Sequence, residues 1–174
     1  MSVGVEKLWE GIRVEGLNYG LPTTFIKLGP GPEYSSEELV REVLMHTKCK
    51  WACILGKNTT QVGIGTLTKG LSSVGLYLEV EVSGEMRDPG WFNTVDRWVV
   101  DYVQEPAFNY GALRSQDTVR FIVKGEGDLN FAKGGFEELR IFAGTKYIRL
   151  LDKKLKNEAF ALVRRYERAR LYIS

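Results

Sequence analysis

The stretch Glu15-Gly-Leu-Asn-Tyr-Gly-Leu-Pro-Thr-Thr-Phe-Ile-Lys-Leu-Gly29 decides how the rest of the chain is read. Its first half reads as a turn, and Thr23 to Leu28 as the first clear strand. Pro30-Gly31-Pro32-Glu33-Tyr34 follows, and then a helix signal. Ser35 and Glu38 form an S-x-x-E capping box ahead of Leu39, Val40, Val43 and Leu44, whose spacing puts them on one face of a helix ending near His46.

Outward from there the apolar pattern keeps switching between strand-like runs and helical periodicity, which predicts an α/β domain with a largely parallel sheet. Trp51 to Leu55 is a short buried strand, and Val62 to Val74 a helix weakened by Gly63, Gly65 and Gly70. Leu76 to Val82 alternates, with Leu76, Leu78, Val80 and Val82 on one face and Tyr77, Glu79 and Glu81 on the other. Trp98 to Val103 and Thr118 to Val123 are further strands, joined by a loop containing Pro106 that is placed over the mouth of a site. Asp128 is positioned to cap a helix through Leu139, Lys146 to Leu151 returns as strand, Leu155 to Arg168 is an amphipathic helix, and Leu171 to Ile173 closes the chain. The expected architecture is a partial, open barrel of about six mostly parallel strands with flanking helices. Its core takes in Phe25, Ile26, Leu28, Ile54, Leu55, Leu78, Val80, Val99, Val100, Phe121, Val123 and Ile148.

A chain of 174 residues with 44% hydrophobic content supports one well-buried core, so residues 1–174 are read as a single domain. The net charge is +2, but from Arg140 onward ten Lys or Arg face only Asp152, Glu158 and Glu167, leaving the first 139 residues at about −5. A basic last third marks either a nucleic-acid or partner face or the solvated side of a helix. The spread of these charges along a helix favours the second, so nucleic acid is not the expected partner. No apolar run reaches membrane-spanning length, and Met1-Ser-Val-Gly-Val-Glu-Lys lacks a signal-peptide core, so the expected compartment is cytoplasmic and no membrane is involved. Two cysteines, Cys49 and Cys53, give no disulfide framework and suit a reducing compartment.

Read in order, Arg13-Val14-Glu15-Gly16, Pro22-Thr23-Thr24-Phe25-Ile26-Lys27-Leu28-Gly29 and the strands beyond resemble the radical S-adenosylmethionine enzymes, and among them the 7-carboxy-7-deazaguanine synthases of the queuosine and deazapurine pathway. In that family Q-G-E-G precedes P-T-x-F-I-R-L-x-G. Here Glu15 is kept, while Arg13 and Lys27 stand at the Gln and Arg positions that help hold the pterin substrate. Lys lacks the planar fork of Arg. The G-G-E-P motif bordering the cofactor's amino-acid group reads Gly56-Lys57-Asn58-Thr59, and Asn58 removes an anionic partner for an ammonium group. E-T-N-G-T becomes Glu81-Val82-Ser83-Gly84-Glu85. Trp98-Val-Val-Asp-Tyr102 and the run from Asp117 to Asp128 resemble the later strands, and the chain stops at Ser174, short of the family's Q-x-H-K ending. The CxxxCxxC-type insertion that the family carries after the first strand has no counterpart.

Arg13, Glu15, Lys27, Gly56, Asn58, Glu79, Glu81 and Ser83 are therefore the candidate ligand-binding residues, with no confident catalytic group among them. His46-x-x-Cys49-x-x-x-Cys53 has the spacing of three metal ligands, or these are an ordinary helix-end histidine and strand cysteine, and no metal is expected. Glu79 and Glu81 either line the barrel as a carboxylate pair with one raised pKa, or sit at a solvated rim or against Lys or Arg. Gly125-Glu-Gly-Asp128 lacks the G-K-[ST] of a phosphate loop and reads as a turn and helix cap.

A cluster that cleaves S-adenosylmethionine takes three cysteine thiolates, and two are present. The resemblance thus implies a synthase scaffold without the 4Fe-4S cluster: a binding, regulatory or structural homodimer rather than an active radical enzyme. The alternative is a cluster-independent enzyme or a retained binder of a purine- or pterin-like molecule. Either leaves S-adenosylmethionine open as a ligand.

Overall fold

The structure is a computed structural model that describes residues 2–15, 17–56, 63–87, 89–142 and 144–174. Its strands are β1 (Ser2–Ile12), β2 (Pro22–Ser35), β3 (Trp51–Leu55), β4 (Tyr77–Ser83), β5 (Arg97–Asp101), β6 (Thr118–Val123), β7 (Thr145–Leu150) and β8 (Ala169–Ile173). They form one open sheet in chain order, β1 antiparallel to β2 and every later neighbour parallel. The helices are α1 (Ser36–His46), α2 (Ile64–Ser73), α3 (Glu126–Glu138) and α4 (Lys156–Val163). Among the described residues, the β4–β5 and β5–β6 crossovers carry only 3-10 turns, Phe92–Thr94 and Tyr110–Ala112.

Among the described residues the strand count is eight rather than about six, chiefly because β1 has no clean alternation. Register shifts between Gly4 and Val5 and between Val5 and Lys7 break its pattern. β2 is also far longer than Thr23 to Leu28. Beyond Gly29 it continues beside β1, with Ser2 opposite Ser35, Val3 opposite Tyr34 and Gly4 opposite Glu33. Pro30 and Pro32 are tolerated because prolines fit a strand at a bulge, where ladder hydrogen bonds are already interrupted. Gly31 is required there: a Cβ on it would lie 2.1 Å from the Val5 carbonyl oxygen. The segment at which the resemblance places the cysteine insertion is thus strand, paired to the N-terminal strand.

α1 begins as its sequence predicts. Ser35 caps it, its hydroxyl accepting the Glu38 N–H at 3.2 Å while its own N–H donates to the Glu38 carboxylate at 2.8 Å. α3 starts at Glu126 with Gly125 as the cap residue, so Asp128 lies in the first turn and accepts the Lys124 N–H at 2.8 Å rather than capping from outside. The amphipathic helix from Leu155 to Arg168 shortens to α4, because the chain turns at Arg168 with φ 56° to enter β8.

Strand alternation sorts the side chains onto two faces. One face packs on the helices, where Ile26, Ile54, Leu78, Val80, Trp98, Val100, Phe121 and Ile148 meet Leu39, Val43, Leu67, Leu71, Leu129, Phe136 and Leu162. Phe25 and Val99 are buried outside that cluster, and Leu55 is only half-buried, at the β3 terminus. The expected loop around Pro106 is tied down by Ala107 and Phe108 N–H groups on the Gly84 carbonyl, and Phe108 and Tyr110 join the core. None of the helices among the described residues is long and apolar enough to cross a membrane.

Candidate functional site

The other face of the sheet is lined with charge. A tight turn between β1 and β2, closed by Arg13 N–H on the Leu21 carbonyl at 2.9 Å and Gly20 N–H on the Arg13 carbonyl at 2.8 Å, holds Arg13, Glu15 and Asn18. Gly20 supplies the left-handed residue at φ 82°. All three side chains are buried, as are Cys53 on β3, Glu79 and Glu81 on β4 and Arg120 on β6.

Arg13 Nη2 lies 2.7 Å from Glu79 Oε1 and also donates to Glu81. Asn18 Nδ2 donates to the second Glu79 oxygen at 2.9 Å, and Arg97 donates to the Asn18 oxygen. Arg120 Nη1 sits 2.7 Å from Glu81 Oε2 and 3.4 Å from Glu15 Oε1, while its Nε donates to Asp101 at 2.6 Å. Tyr147 OH donates to Glu15 Oε2 at 2.9 Å, and Arg149 Nη1 approaches the same carboxylate at 3.6 Å. Four carboxylates thus meet Arg13, Arg97, Arg120 and Arg149 in one network, which offsets the desolvation that would otherwise forbid buried charge.

The two glutamates titrate apart. Burial pushes Glu79 above the usual carboxylate range, with Arg13 opposing too weakly to reverse it. Burial acts on Glu81 as well, but Arg120 and Arg13 outweigh it and hold that carboxyl below its ordinary value. Asp101 is raised by burial despite Arg120. Both arginines are desolvated, yet the surrounding carboxylates drive their pKa values above normal. Both readings of the Glu79 and Glu81 face hold at once: it lines the sheet interior, and its carboxylates are paired with arginine.

Cys53 Sγ lies 3.8 Å from an oxygen of each glutamate, and the three donor atoms fall within 4.8 Å of one another. This group does not suit a metal. Arg13 already bridges the two carboxylates, and burial plus their negative charge push the Cys53 thiol well above its usual pKa, away from the thiolate a metal needs. The His46, Cys49 and Cys53 spacing does not converge either. His46 contacts Glu42 at 2.9 Å on the exposed side of α1, and the Cys49 thiol donates to Glu10 at 3.5 Å. Two thiols facing different groups do not fit the three-thiolate set of a 4Fe-4S cluster.

At the C-terminal ends of β4, β5 and β6 a cleft of about 760 Å³ opens, lined by Ser83, Asp101, Tyr102, Lys124, Asp128 and Phe131 among others. This end of a parallel sheet is where loops build ligand sites.

No protein-family model matches the chain, and no curated protein matches it. Solved structures do. QueE from Escherichia coli, a 7-carboxy-7-deazaguanine synthase, aligns with a TM-score of 0.70 at 12% identity, covering 99% of this chain and 94% of that one. The chain has a QueE-like fold. That confirms the architecture the sequence resemblance implies, with an eight-stranded sheet in place of about six.

Within this QueE-like frame, Arg13, Glu15, Glu79 and Glu81 of the predicted site residues come together, and Ser83 stands at the rim, where its hydroxyl accepts the Glu85 N–H at 3.3 Å. Lys27 does not join them; its amine pairs with Glu6 on β1. Gly56 follows β3 with φ 123°, and a Cβ there would lie 2.2 Å from the Leu28 carbonyl oxygen, so this glycine serves backbone approach. Asn58 lies outside the described residues. Sequence reasoning missed Asn18, Arg97, Asp101, Arg120 and Tyr147. Arg120 carried a signal: it is the one charged residue in the apolar run from Thr118 to Val123.

Proposed function

We propose that this chain is a QueE-like scaffold that works without an iron-sulfur cluster, as a non-catalytic binding, regulatory or structural protein. The observation that carries the reading is Arg13, a side chain of the β1–β2 turn, set between Glu79 and Glu81 in the sheet interior. A buried guanidinium held by two carboxylates leaves that interior balanced in charge, so it does not call for a charged cofactor to complete it, although Arg13 Nε and Arg149 Nε keep no hydrogen-bond partner among the described residues. The continuation of β2 past Gly29, with Glu33, Tyr34 and Ser35 paired to β1, and the two unconverged cysteines support the same conclusion. The homodimer belongs to this reading through the family resemblance, and the cytoplasmic setting through the two cysteines, which suit a reducing compartment. A strictly monomeric protein in sedimentation at micromolar concentration removes the dimer.

One observation favours a second reading, retained binding of a purine- or pterin-like molecule. The cleft at the strand ends joins Asp101, itself part of the charged network, to the Tyr102 and Phe131 rings, which lie 5.3 Å apart between centroids. Thermal-shift measurement with purines, pterins and S-adenosylmethionine separates the two. A ligand at 100 times its Kd stabilises by about 2.7 kcal/mol. Both readings leave S-adenosylmethionine open as a ligand, and the absence of a shift with any of the three removes the second reading. A shift with a purine or pterin favours the second reading, and S-adenosylmethionine cleavage overturns both.

A further inference from the structure

The α3–β7 and α4–β8 connections meet at the amino ends of β7 and β8, the end of the sheet opposite the cleft of Ser83 and Asp101. Between them is a pocket of about 460 Å³. Among the described residues its lining brings Arg140, Lys146, Arg165 and Arg168 together with one carboxylate, Glu167. A second nearby acid, Glu137, is already taken by the Tyr166 hydroxyl.

Lys146 is the unusual member. It is 3% exposed, yet no carboxylate among the described residues lies within ion-pair reach of it. Its ammonium donates to the Leu139 carbonyl at 3.0 Å and lies 5.9 Å and 5.7 Å from the centroids of the Phe142 and Tyr166 rings. Burial pulls its pKa below the ordinary lysine value. A cation held in a cavity by one carbonyl and two ring faces still has unused donor capacity, since an ammonium carries three N–H groups.

Arg168 is the second. At φ 56° it is the one non-glycine with positive φ among the described residues, and its carbonyl accepts the backbone N–H of Lys146 at 3.1 Å. Side-chain-bearing residues seldom keep this conformation, and where they do the strain often marks a site. The turn therefore fixes an arginine, at a backbone cost that glycine would avoid, directly beside the buried lysine.

We propose that this pocket binds the phosphate group of a small phosphorylated molecule of about nucleotide size, independently of the sheet interior. Arginine forks match phosphate oxygens in pairs, and a lysine supplies a point charge. The volume falls in the usual range of small-molecule sites, and the Phe142 and Tyr166 rings give it an apolar wall. The site is a concavity built by two turns around a buried cation, rather than the extended basic groove that tracks a polynucleotide backbone.

The test is calorimetric titration of the whole chain with inorganic pyrophosphate, adenosine 5′-monophosphate and adenosine. The first two should bind saturably, more weakly as salt rises, and adenosine should not bind. Arg168→Gly should weaken binding by roughly tenfold or more while the melting temperature holds or rises, because it removes the guanidinium and relieves the left-handed backbone. Arg140→Ala should weaken binding similarly, and Glu167→Gln should strengthen it. Absence of saturable binding by both phosphates, affinity unchanged from the parent protein in both Arg168→Gly and Arg140→Ala, or binding of adenosine as tight as that of its monophosphate overturns the proposal. So does a single-stranded RNA oligonucleotide that binds more tightly and is not displaced by the monophosphate.

Discussion

Arg120 on β6 reaches past the intervening strand β5 to set its Nη1 2.7 Å from Glu81 on β4, while its Nε holds Asp101 on β5 at 2.6 Å. One side chain therefore ties three successive strands together on the face away from the helices. Arg13, from the β1–β2 turn, takes the other oxygen of the same glutamate.

Glu81→Gln should cost about 3–5 kcal/mol, because it leaves two buried guanidinium groups short of a carboxylate. Adding Arg120→Met should cost less than the sum of the two single changes. The coupling energy is expected at about 0.5–3 kcal/mol. Urea unfolding of the four proteins measures it, and additivity within error contradicts the network.

Glu79 and Glu81 should show opposite pH dependence. Glu81 is depressed in the folded state, so its contribution is present above the unfolded carboxylate value near 4.5 and is lost as pH falls through the lower folded value. Glu79 is raised, so its contribution is present below that value and is lost as pH climbs through the higher folded one. Glu79→Gln should accordingly gain on the parent protein as pH rises above 4.5, whereas Glu81→Gln should lose ground with rising pH up to about that value. Stability curves for both variants across the acid range check the two signs.

Phe121 is 2% exposed, and its ring packs at a tilt against both Tyr102 and Phe136, 4.8 Å from each between centroids. Phe121→Ala should cost about 3–5 kcal/mol through lost burial and a cavity. An unchanged melting temperature contradicts the packing of β6 on α3.

Much of the fold was legible because α1, β3, β4 and β6 each obey a local rule. Ser35 and Glu38 cap the helix as a pair, and Leu78 and Val80 alternate with Glu79 and Glu81. β1 was hidden because its pairing is bulged at Gly4 and Val5, which destroys the period-two pattern. The extension of β2 was hidden because Pro30 and Pro32 read as strand breakers, and only the partner strand shows that the missing donors fall at the bulge. Half of the charged interior was visible in Arg13, Glu15, Glu79 and Glu81. Asn18, Arg97 and Arg120 were not, since their role rests on partners 61, 79 and 39 residues away.

The central claim, a QueE-like scaffold that works without a cluster, is tested most directly by anaerobic reconstitution with iron and sulfide, followed by incubation with dithionite, S-adenosylmethionine and carboxytetrahydropterin. Cys49 and Cys53 face Glu10 on one side and the Glu79 and Glu81 carboxylates on the other, and β2 continues as strand where the resemblance places a cysteine loop. The predicted result is iron below one cluster per chain, no 5′-deoxyadenosine and no deazaguanine product. A stoichiometric, reducible cluster accompanied by 5′-deoxyadenosine would contradict the account.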